Sequence, residues 1–393
     1  MEMITFDEAY EIVMRSVFTT GTETIHFTDA LHRILAQRVE SDMDMPPFNK
    51  ATVDGFACRR EDLGSELEIL ETIAAGKAPE RVVTVKKCSR IMTGAALPQG
   101  ADMVFMVEDS ELIDGEHVRF TGSGSKDNIS YKGEDILLGD TVLASGMIIK
   151  PQDIAVLAAV GCTNVEVGKK PVVAVISSGD EIVEPEVKPG ISSIRNSNAY
   201  QLLAQIERAG ASGRYMGIAR DNKEQTHEII KKAISESDVV LITGGVSMGD
   251  FDFIPSVIEE LGVKILFSRI NIQPGKPTTF GIHPKALVFG LPGNPVSSFI
   301  QFELLVRPLL CKMMGHDFKP VTWKLPFGES YSRRSSDRLG LLPVTLSDEG
   351  EVLVVEYHGS AHISALSNAV GIVSFAVGER TIEKGEIVSV RQI

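Results

Sequence analysis

Aromatic residues, cysteines and positive charge are all scarce in this 393-residue sequence. Aromatic residues make up 6% of the chain, with one Trp, and the formal net charge is −14 at pH 7. An acidic chain repels a phosphate backbone, which argues against general nucleic-acid binding. A small anionic ligand stays compatible, because helix N-termini and single lysines bind phosphate locally. The four cysteines form no CxxC pair and are expected to be reduced thiols of a cytoplasmic protein.

Long hydrophobic runs and targeting signals are also missing. No apolar stretch approaches the roughly 20 residues that a membrane helix needs. The opening MEMITFDEAY lacks the basic region of a signal peptide, so we expect no membrane association. No GxxxxGK[ST] phosphate-binding loop occurs. With 43% hydrophobic and 23% charged residues, the chain has a globular composition and the length of two to four domains.

Hydrophobic patterning divides the chain into four stretches. Residues 1 to about 40 have a helical period, whereas 41–129 carry short alternating runs at 81–85, 103–107 and 117–121. A helix is predicted at 151–161. From 171 to 316, strands alternate with helices, which predicts a doubly wound parallel α/β sheet with ligands at the carboxyl ends of its strands. Short strands after residue 316 predict a C-terminal β-barrel or sandwich.

One Gly-rich loop, TGGVSMGDFDF, follows a buried strand predicted at 238–242. Its glycines let backbone amides approach an oxyanion, and its serine hydroxyl can bind the same group. Its two aspartates are hard oxygen ligands that suit Mg²⁺. Taken alone, the loop fits an ordinary Gly-rich turn equally well. The candidate residues are Gly244, Gly245, Ser247, Gly249, Asp250 and Asp252.

Three more loops are expected at the same sheet edge. In Pro274-Gly275-Lys276-Pro277, two prolines hold one cation in a rigid turn. The sequence LPGNP at 291–295 leads into a helix, where an anion can bind or Asn294 can simply cap. The sequence SSGDE at 177–181 adds hydroxyls and carboxylates. Each loop alone can be a surface turn, but together they favour a binding site.

Two weaker candidates lie in the N-terminal β-rich stretch. Asp54 stands in the small-residue turn PFNKATVDGFA, and Thr93 ends a strand in RIMTGA. Physical reasoning alone favours ordinary turns for both segments.

The ordered set of motifs resembles the MoeA family, the molybdopterin molybdenumtransferases, which is related to the gephyrin E domain. The motifs are PPFNKATVDGFA, RIMTGAALPQGADMVFMVED, GEDI, VAVISSGDE, ITGGVSMGDFDF, PGKP, GLPGNPVSS and GSAHISALSNAVGIVSF, and they span nearly the whole chain. The resemblance implies a Mg²⁺-dependent enzyme that inserts molybdate into adenylylated molybdopterin and releases AMP. It also implies a homodimer with a cleft shared between subunits. Further partners it suggests are the molybdopterin adenylyltransferase and apo-molybdoenzymes.

The resemblance implies an elongated subunit of α/β plus β class. A helical linker and dimerisation domain is expected at 1–40 and 134–170, and a β-rich domain at 41–133. A molybdopterin-binding α/β domain at 171–316 and a C-terminal β-barrel at 317–393 complete the chain.

The same resemblance assigns roles to individual residues. Catalytic roles are implied for Asp54, Thr93, Asp135, Glu181, Asp221, Asp252 and Lys276. Substrate binding is implied for Ser178, Gly244, Gly245, Ser247, Gly249, Asp250, Pro274, Gly275, Pro277, Pro292, Gly293, Asn294, Pro295, Arg338 and Ser360. Of these, Arg338 and Ser360 match residues that hold molybdate. The metal ligands implied are Asp221, Asp250 and Asp252.

The sequence departs from the family pattern at four positions. Gln273 and Ser130 stand where Lys and Arg are usual, Asn196 replaces an Asp, and an expected Arg is missing near Pro343. Three of these changes remove a cation, which leaves open whether molybdate or tungstate is preferred. Two other functions also stay open, a molybdopterin adenylyltransferase and a non-catalytic scaffold similar to the gephyrin E domain. The acidic and lysine site residues all stand, which argues against a scaffold.

Overall fold

A computed structural model describes residues 2–245, 254–356 and 359–393. Its central feature is a six-stranded sheet. In spatial order the strands are Ser212–Ala219, Val172–Ser178, Val239–Thr243, Leu287–Leu291, Thr279–Ile282 and Lys264–Phe267. The first four are parallel, and the last two are antiparallel to their neighbours. The sheet is therefore mixed, and the prediction of a wholly parallel sheet is wrong at this one edge.

Helices cover both faces of this sheet, as expected for a doubly wound arrangement. Asn198–Arg208 and the run formed by Pro295–Gln301, the π-helical Phe302–Val306 and Arg307–Met313 pack on one face. Lys223–Glu236 and Ile254–Glu260 pack on the other. Because both faces are buried, the strands are nearly continuous apolar runs, and the carboxyl ends of the parallel strands are left for polar loops.

A second six-stranded sheet lies in the N-terminal part. Its strands in order are Met103–Met106, Gly55–Cys58, Lys87–Ile91, Glu66–Ile73, His117–Phe120 and Ser110–Leu112. The strands predicted near 103–107 and 117–121 are confirmed. The strand predicted at 81–85 is wrong, because this segment is irregular and Val82 and Val85 are exposed. Short antiparallel pairs complete the region: Lys50–Ala51 with Ile129–Ser130, and Val39–Glu40 with Thr141–Leu143.

The first helix is much shorter than predicted. It spans Phe6–Arg15 and begins with a capping box between Thr5 and Glu8. The helical prediction over residues 1 to about 40 is wrong beyond it, because Thr22–His26 forms a strand that pairs with Asn164–Gly168. The helix buries Ala9 and Val13 in the same core as the strands of the central sheet. Helix Pro151–Ala159 lies within its predicted range.

The C-terminal part forms a third sheet. Its path runs Ile272–Gln273, Leu339–Leu346, Gly371–Phe375, Ile387–Gln392 and Thr322–Pro326, with Val352–Val354 paired to the second of these. Tyr331–Ser332 pairs separately with Thr381–Ile382. Outside this C-terminal part, Ile182–Val183 forms a separate parallel pair with Ile194–Arg195. Ile272–Gln273 directly precedes the PGKP turn, and it pairs with Leu339 and Gly340 of the C-terminal part. The pairing therefore places the PGKP turn next to C-terminal residues. Within the described residues, no helix is long and apolar enough to cross a membrane.

Candidate active site

A cavity of about 410 Å³ lies between the PGKP turn, the LPGNP turn and the C-terminal sheet. We call it the basic cavity, because the charged side chains that line it among the described residues are all cationic: Lys276, Arg333, Arg334 and Arg338. It brings together eight of the sequence-predicted residues, namely Pro274, Gly275, Lys276, Pro277, Pro292, Asn294, Arg338 and Ser360. Gln273 lines it as well. A concave site with this charge suits a small oxyanion.

Arg333 shapes the wall of the basic cavity. Its guanidinium donates 2.7 Å hydrogen bonds to the carbonyl oxygens of Glu379, Arg338 and Ala376. It also lies over the ring of Phe375, 5.3 Å from the centroid. Burial lowers the pKa of this guanidinium. Because its N–H groups donate to backbone carbonyls, Arg333 holds the loop that carries Arg338 in place. Its positive charge also adds to the field of the cavity.

The PGKP turn is held by its own backbone. The Lys276 carbonyl accepts hydrogen bonds from the amides of Ile270 and Thr278, both at 3.0 Å. The Thr278 hydroxyl donates to the Gly275 carbonyl at 2.7 Å. Lys276 itself is exposed. The chain therefore fixes the Lys276 backbone and leaves its ammonium group available to a ligand.

A second cavity, of about 530 Å³, lies at the carboxyl ends of the parallel strands. We call it the sheet-edge cavity. Six sequence-predicted residues line it: Ser178, Glu181, Gly244, Gly293, Asn294 and Pro295. Asn198, at the start of a helix, donates to the Thr243 hydroxyl at 2.9 Å and to the Gly293 carbonyl at 2.7 Å. One amide thus ties two of the strand-end loops together.

Gly244 is required where two of these loops touch. Its φ of +86° lies in the left-handed region, and a Cβ there would stand 2.6 Å from the Ser178 carbonyl oxygen. A larger residue would push apart the ends of strands Val172–Ser178 and Val239–Thr243. The Gly-rich sequence therefore allows the close approach that shapes the cavity.

The two cavities share the turn at residues 292–295. Asn294 lines both of them and donates a 2.7 Å hydrogen bond to the Ser360 hydroxyl. The amide of Val296 donates to the Ser360 carbonyl at 3.1 Å. These two bonds join the central part of the chain to the C-terminal part. The basic cavity and the sheet-edge cavity therefore lie side by side.

Asp54 and Thr93 meet in the N-terminal sheet, although 39 residues separate them. Strands Gly55–Cys58 and Lys87–Ile91 pair with Gly55 opposite Ile91, which brings together the residues beyond these ends. The backbone amide and the hydroxyl of Thr93 each donate to Asp54 Oδ1 at 2.7 Å. These bonds hold the pKa of the Asp54 carboxyl below its usual range.

Of the remaining predicted residues, those that the structure describes line neither cavity. Asp135 is exposed in a loop whose backbone bonds to Met45, and Asp221 is exposed with its amide bonded to Asp180 Oδ1 at 3.1 Å. Gly245 follows Gly244 with a φ of +62°. Ser247, Gly249, Asp250 and Asp252 lie outside the described residues. Across the described ranges, no group of three or more His, Cys, Asp or Glu side chains could hold a metal ion.

Sequence reasoning missed two cations of the basic cavity, Arg333 and Arg334. The signal was available as YSRRSSDR, which places three arginines within six residues of an acidic chain. It also missed Arg195 and Asn198 in the sheet-edge cavity. Together with Lys276 and Arg338, the two missed arginines bring the cations that line the basic cavity to four among the described residues.

Three protein-family models match the chain in order. They are described as the MoeA N-terminal region (domain I and II), over residues 4–161, a probable molybdopterin binding domain, over 174–312, and the MoeA C-terminal region (domain IV), over 330–393. The fold and the two cavities therefore define a multidomain protein built around an α/β domain of the molybdopterin-binding class.

Full-length relatives complete the identification. The molybdopterin molybdenumtransferase of Staphylococcus epidermidis is 36% identical over 401 residues, covering 98% of this chain and 95% of its own. That of Bacillus subtilis is 32% identical and covers 98% and 93%. A solved molybdopterin biosynthesis MoeA protein from Pyrococcus horikoshii is 34% identical, with a TM-score of 0.84 over 100% of this chain and 99% of that one. The chain belongs to the MoeA family.

Proposed function

We propose that this protein is a transferase of molybdenum cofactor biosynthesis, which inserts molybdate into adenylylated molybdopterin and releases AMP. The observation that carries the proposal is the pair of adjoining cavities that share Asn294. One cavity has the cations for an oxyanion, and the other has the small polar groups of a sheet-edge ligand site. Family membership and the names of the full-length relatives support the same reaction.

Molybdate and the phosphates of the second substrate are both anions, which explains the division of residues. Lys276 and Arg338 bind the oxyanion in the basic cavity, and Arg334 adds to the attractive field. The hydroxyl and amide groups around Asn198 hold the molybdopterin part of the other substrate. Asn294 and Ser360 set the separation of the two substrates, because reaction needs both in one geometry.

Mg²⁺ belongs to the proposal through the chemistry of its predicted ligands, Asp221, Asp250 and Asp252. Two of these lie outside the described residues, and the described residues alone do not assemble a metal site. The requirement is tested directly by titrating Mg²⁺ into the protein after treatment with a chelator and following AMP release.

The proposal includes a homodimer in which Asp54 and Thr93 of one subunit complete the cleft of the other. These two residues bond to each other in the N-terminal sheet and line neither cavity of their own chain. The finer description of the fold, a helical linker with the proposed domain boundaries and a C-terminal barrel, stays part of the proposal. So do action in the cytoplasm and contact with the adenylyltransferase and apo-molybdoenzymes.

The decisive experiment gives the purified protein adenylylated molybdopterin and measures AMP release with and without molybdate. We expect release that depends on molybdate and falls at least tenfold in Arg338→Ala. Arg214→Ala is the matched control, because Arg214 is an exposed cation that lines neither cavity. An Asp252→Ala variant that released AMP at the wild-type rate would contradict the proposed role of that carboxylate.

The same assay separates the alternatives. An adenylyltransferase would make adenylylated product from molybdopterin and ATP without molybdate. A scaffold would turn over neither substrate set. Running molybdate and tungstate in parallel decides which oxyanion the basic cavity prefers.

A further inference from the structure

The wall of the sheet-edge cavity includes a segment with little regular structure of its own. Residues 179–196, which we call the ribbon, leave the end of strand Val172–Ser178 and return at the helix Asn198–Arg208. Their regular structure is a pair of two-residue strands, Ile182–Val183 and Ile194–Arg195. Five ribbon residues line the cavity: Glu181, Ile182, Ile194, Arg195 and Asn196. A ladder this short does not hold its shape unaided.

A chain of side-chain hydrogen bonds holds the ribbon to the rigid part of the domain. The Glu184 carboxylate accepts a 2.7 Å bond from the Tyr215 hydroxyl and a 3.2 Å bond from the Tyr200 hydroxyl. Tyr215 lies on a strand of the central sheet, and Tyr200 lies on a helix that covers it. Asn196 donates to the Tyr215 oxygen at 2.8 Å and accepts from the Ser177 hydroxyl at 2.9 Å.

The direction of each bond in this chain is fixed by chemistry. Glu184 as a carboxylate only accepts, so Tyr215 uses its one proton on Glu184 and can only accept at its oxygen from Asn196. Asn196 must therefore present an N–H group to Tyr215, while its carbonyl oxygen accepts from Ser177. An aspartate at 196 would place an acceptor against a hydroxyl oxygen whose proton is already used. Asn196 is 3% exposed, so solvent cannot supply the missing donor.

We infer that Asn196 and Glu184 are a matched pair of positioning residues, which lock the ribbon through Tyr215 and thereby set the affinity of the sheet-edge cavity for its ligand. The donor that Asn196 supplies, where the family usually has Asp, is then matched by the acceptor that Glu184 supplies on the other side of Tyr215. The ligand assignment, adenylylated molybdopterin, rests on the proposed function; the locking of the ribbon does not.

The test exchanges donor and acceptor. In Asn196→Asp alone, two carboxylates face the Tyr215 hydroxyl, which has only one proton to donate. In the double variant Asn196→Asp with Glu184→Gln, Tyr215 can donate to the Asp and accept from the Gln. We expect the single variant to weaken binding of adenylylated molybdopterin about tenfold and the double variant to restore it to within about threefold of wild type. The kcat of the single variant at saturating substrate should change much less than its KM.

A second measurement needs no ligand. Amide hydrogen exchange over residues 182–195 should speed up in Asn196→Asp and in Tyr215→Phe, and return toward wild type in the double variant. Tyr131→Phe is the matched control, because Tyr131 donates to Asp127 at 2.9 Å in the N-terminal part of the chain. If Asn196→Asp fails to fold, Tyr215→Phe still tests whether loss of these hydrogen bonds speeds up exchange in the ribbon.

The outcomes separate the two claims. Wild-type binding by Asn196→Asp and Tyr215→Phe, with unchanged exchange, would overturn the inference. A double variant no better than Asn196→Asp would overturn the donor–acceptor match. Absence of binding by the wild-type protein, with the exchange pattern as expected, would refute the ligand assignment and leave the locked ribbon standing.

Discussion

Gly275, in the turn that presents Lys276, offers the sharpest test of how the basic cavity is built. Its φ is +107°, and a Cβ there would overlap the amide of Gln301, whose Cδ and Cγ would lie 2.9 and 3.1 Å away. Gln301 is fully buried, so its side chain cannot swing into solvent. Gly275→Ala therefore combines backbone strain with overlap against a confined side chain.

The two costs can be estimated separately. A non-glycine residue at this φ costs on the order of 1–3 kcal/mol, and overpacking costs about 1–3 kcal/mol. We expect Gly275→Ala to lower the free energy of unfolding by roughly 2–6 kcal/mol in total. Gly217→Ala is the matched control, because Gly217 has a φ of +102° and nothing within 4 Å of its would-be Cβ. It should show the backbone cost alone.

A second variant isolates the overlap. Gln301→Ala removes the atoms that a Cβ at 275 would meet, so the double variant should be more stable than the sum of the single effects, by about 1–3 kcal/mol. Denaturant unfolding followed by circular dichroism measures the cycle. Calorimetry with molybdate should show about tenfold weaker binding in Gly275→Ala, with partial recovery in the double variant. Additive stabilities, or unchanged molybdate affinity in Gly275→Ala, would refute the reasoning.

Three other predictions follow from charge and burial. Arg338→Ala should weaken binding of molybdate by at least tenfold in a calorimetric titration, because it removes a cation from the basic cavity. Burial raises the pKa of Cys58 and Cys88 to about 12, so neither thiol should react with a disulfide reagent at pH 8 until the protein unfolds. The backbone amide and the hydroxyl of Thr93 both lower the pKa of Asp54; Thr93→Val removes only the hydroxyl bond, so it should raise that pKa and move the acid limb of the pH–activity profile to higher pH.

Each of these has its own control. Arg214→Ala should leave molybdate affinity unchanged, and an equal loss in both arginine variants would point to net charge instead of the cavity. Fast modification of both buried thiols in the native protein would contradict their burial. Thr93→Ser keeps the hydroxyl and should keep the wild-type pH profile; a shift in that variant equal to the shift in Thr93→Val would exclude the hydroxyl as its cause.

The parts of the fold that could be predicted are those whose pattern is set by burial. Strands Val172–Ser178 and Val239–Thr243 are apolar up to their polar carboxyl ends, as expected for strands whose two faces are both covered by helices. Lys264–Phe267 was missed because its four residues show no alternation of apolar and polar side chains, and its place in the sheet depends on pairing with Thr279–Ile282. The end of the first helix was missed as well, although Thr22–His26 pairs with a strand about 140 residues away, which no local pattern reveals.

The candidate site divides in the same way. Residues in Gly- and Pro-marked loops, such as Gly244 and Lys276, could be found because the local sequence constrains the backbone. The motif YSRRSSDR marks Arg333 and Arg334 as candidate cations, but their place at the basic cavity depends on the pairing of Ile272–Gln273 with Leu339–Leu346, which the local sequence does not reveal. The role of Asn196 needed the direction of every bond around Tyr215, and these bonds join side chains from a strand, a loop and a helix that no local pattern pairs with one another.

The first helix carries a consequence for how the chain is made. Phe6–Arg15 is synthesised long before Phe302–Val306 and Arg307–Met313, on which it packs, and Ile4 forms a β-bridge with Ile270. At roughly 5–20 residues per second, the ribosome delivers those partners about 15–60 s after the helix emerges. Throughout that interval the helix has an uncovered apolar face, while the N-terminal sheet can already fold beside it. This helix therefore reaches its native contacts long after it has been synthesised.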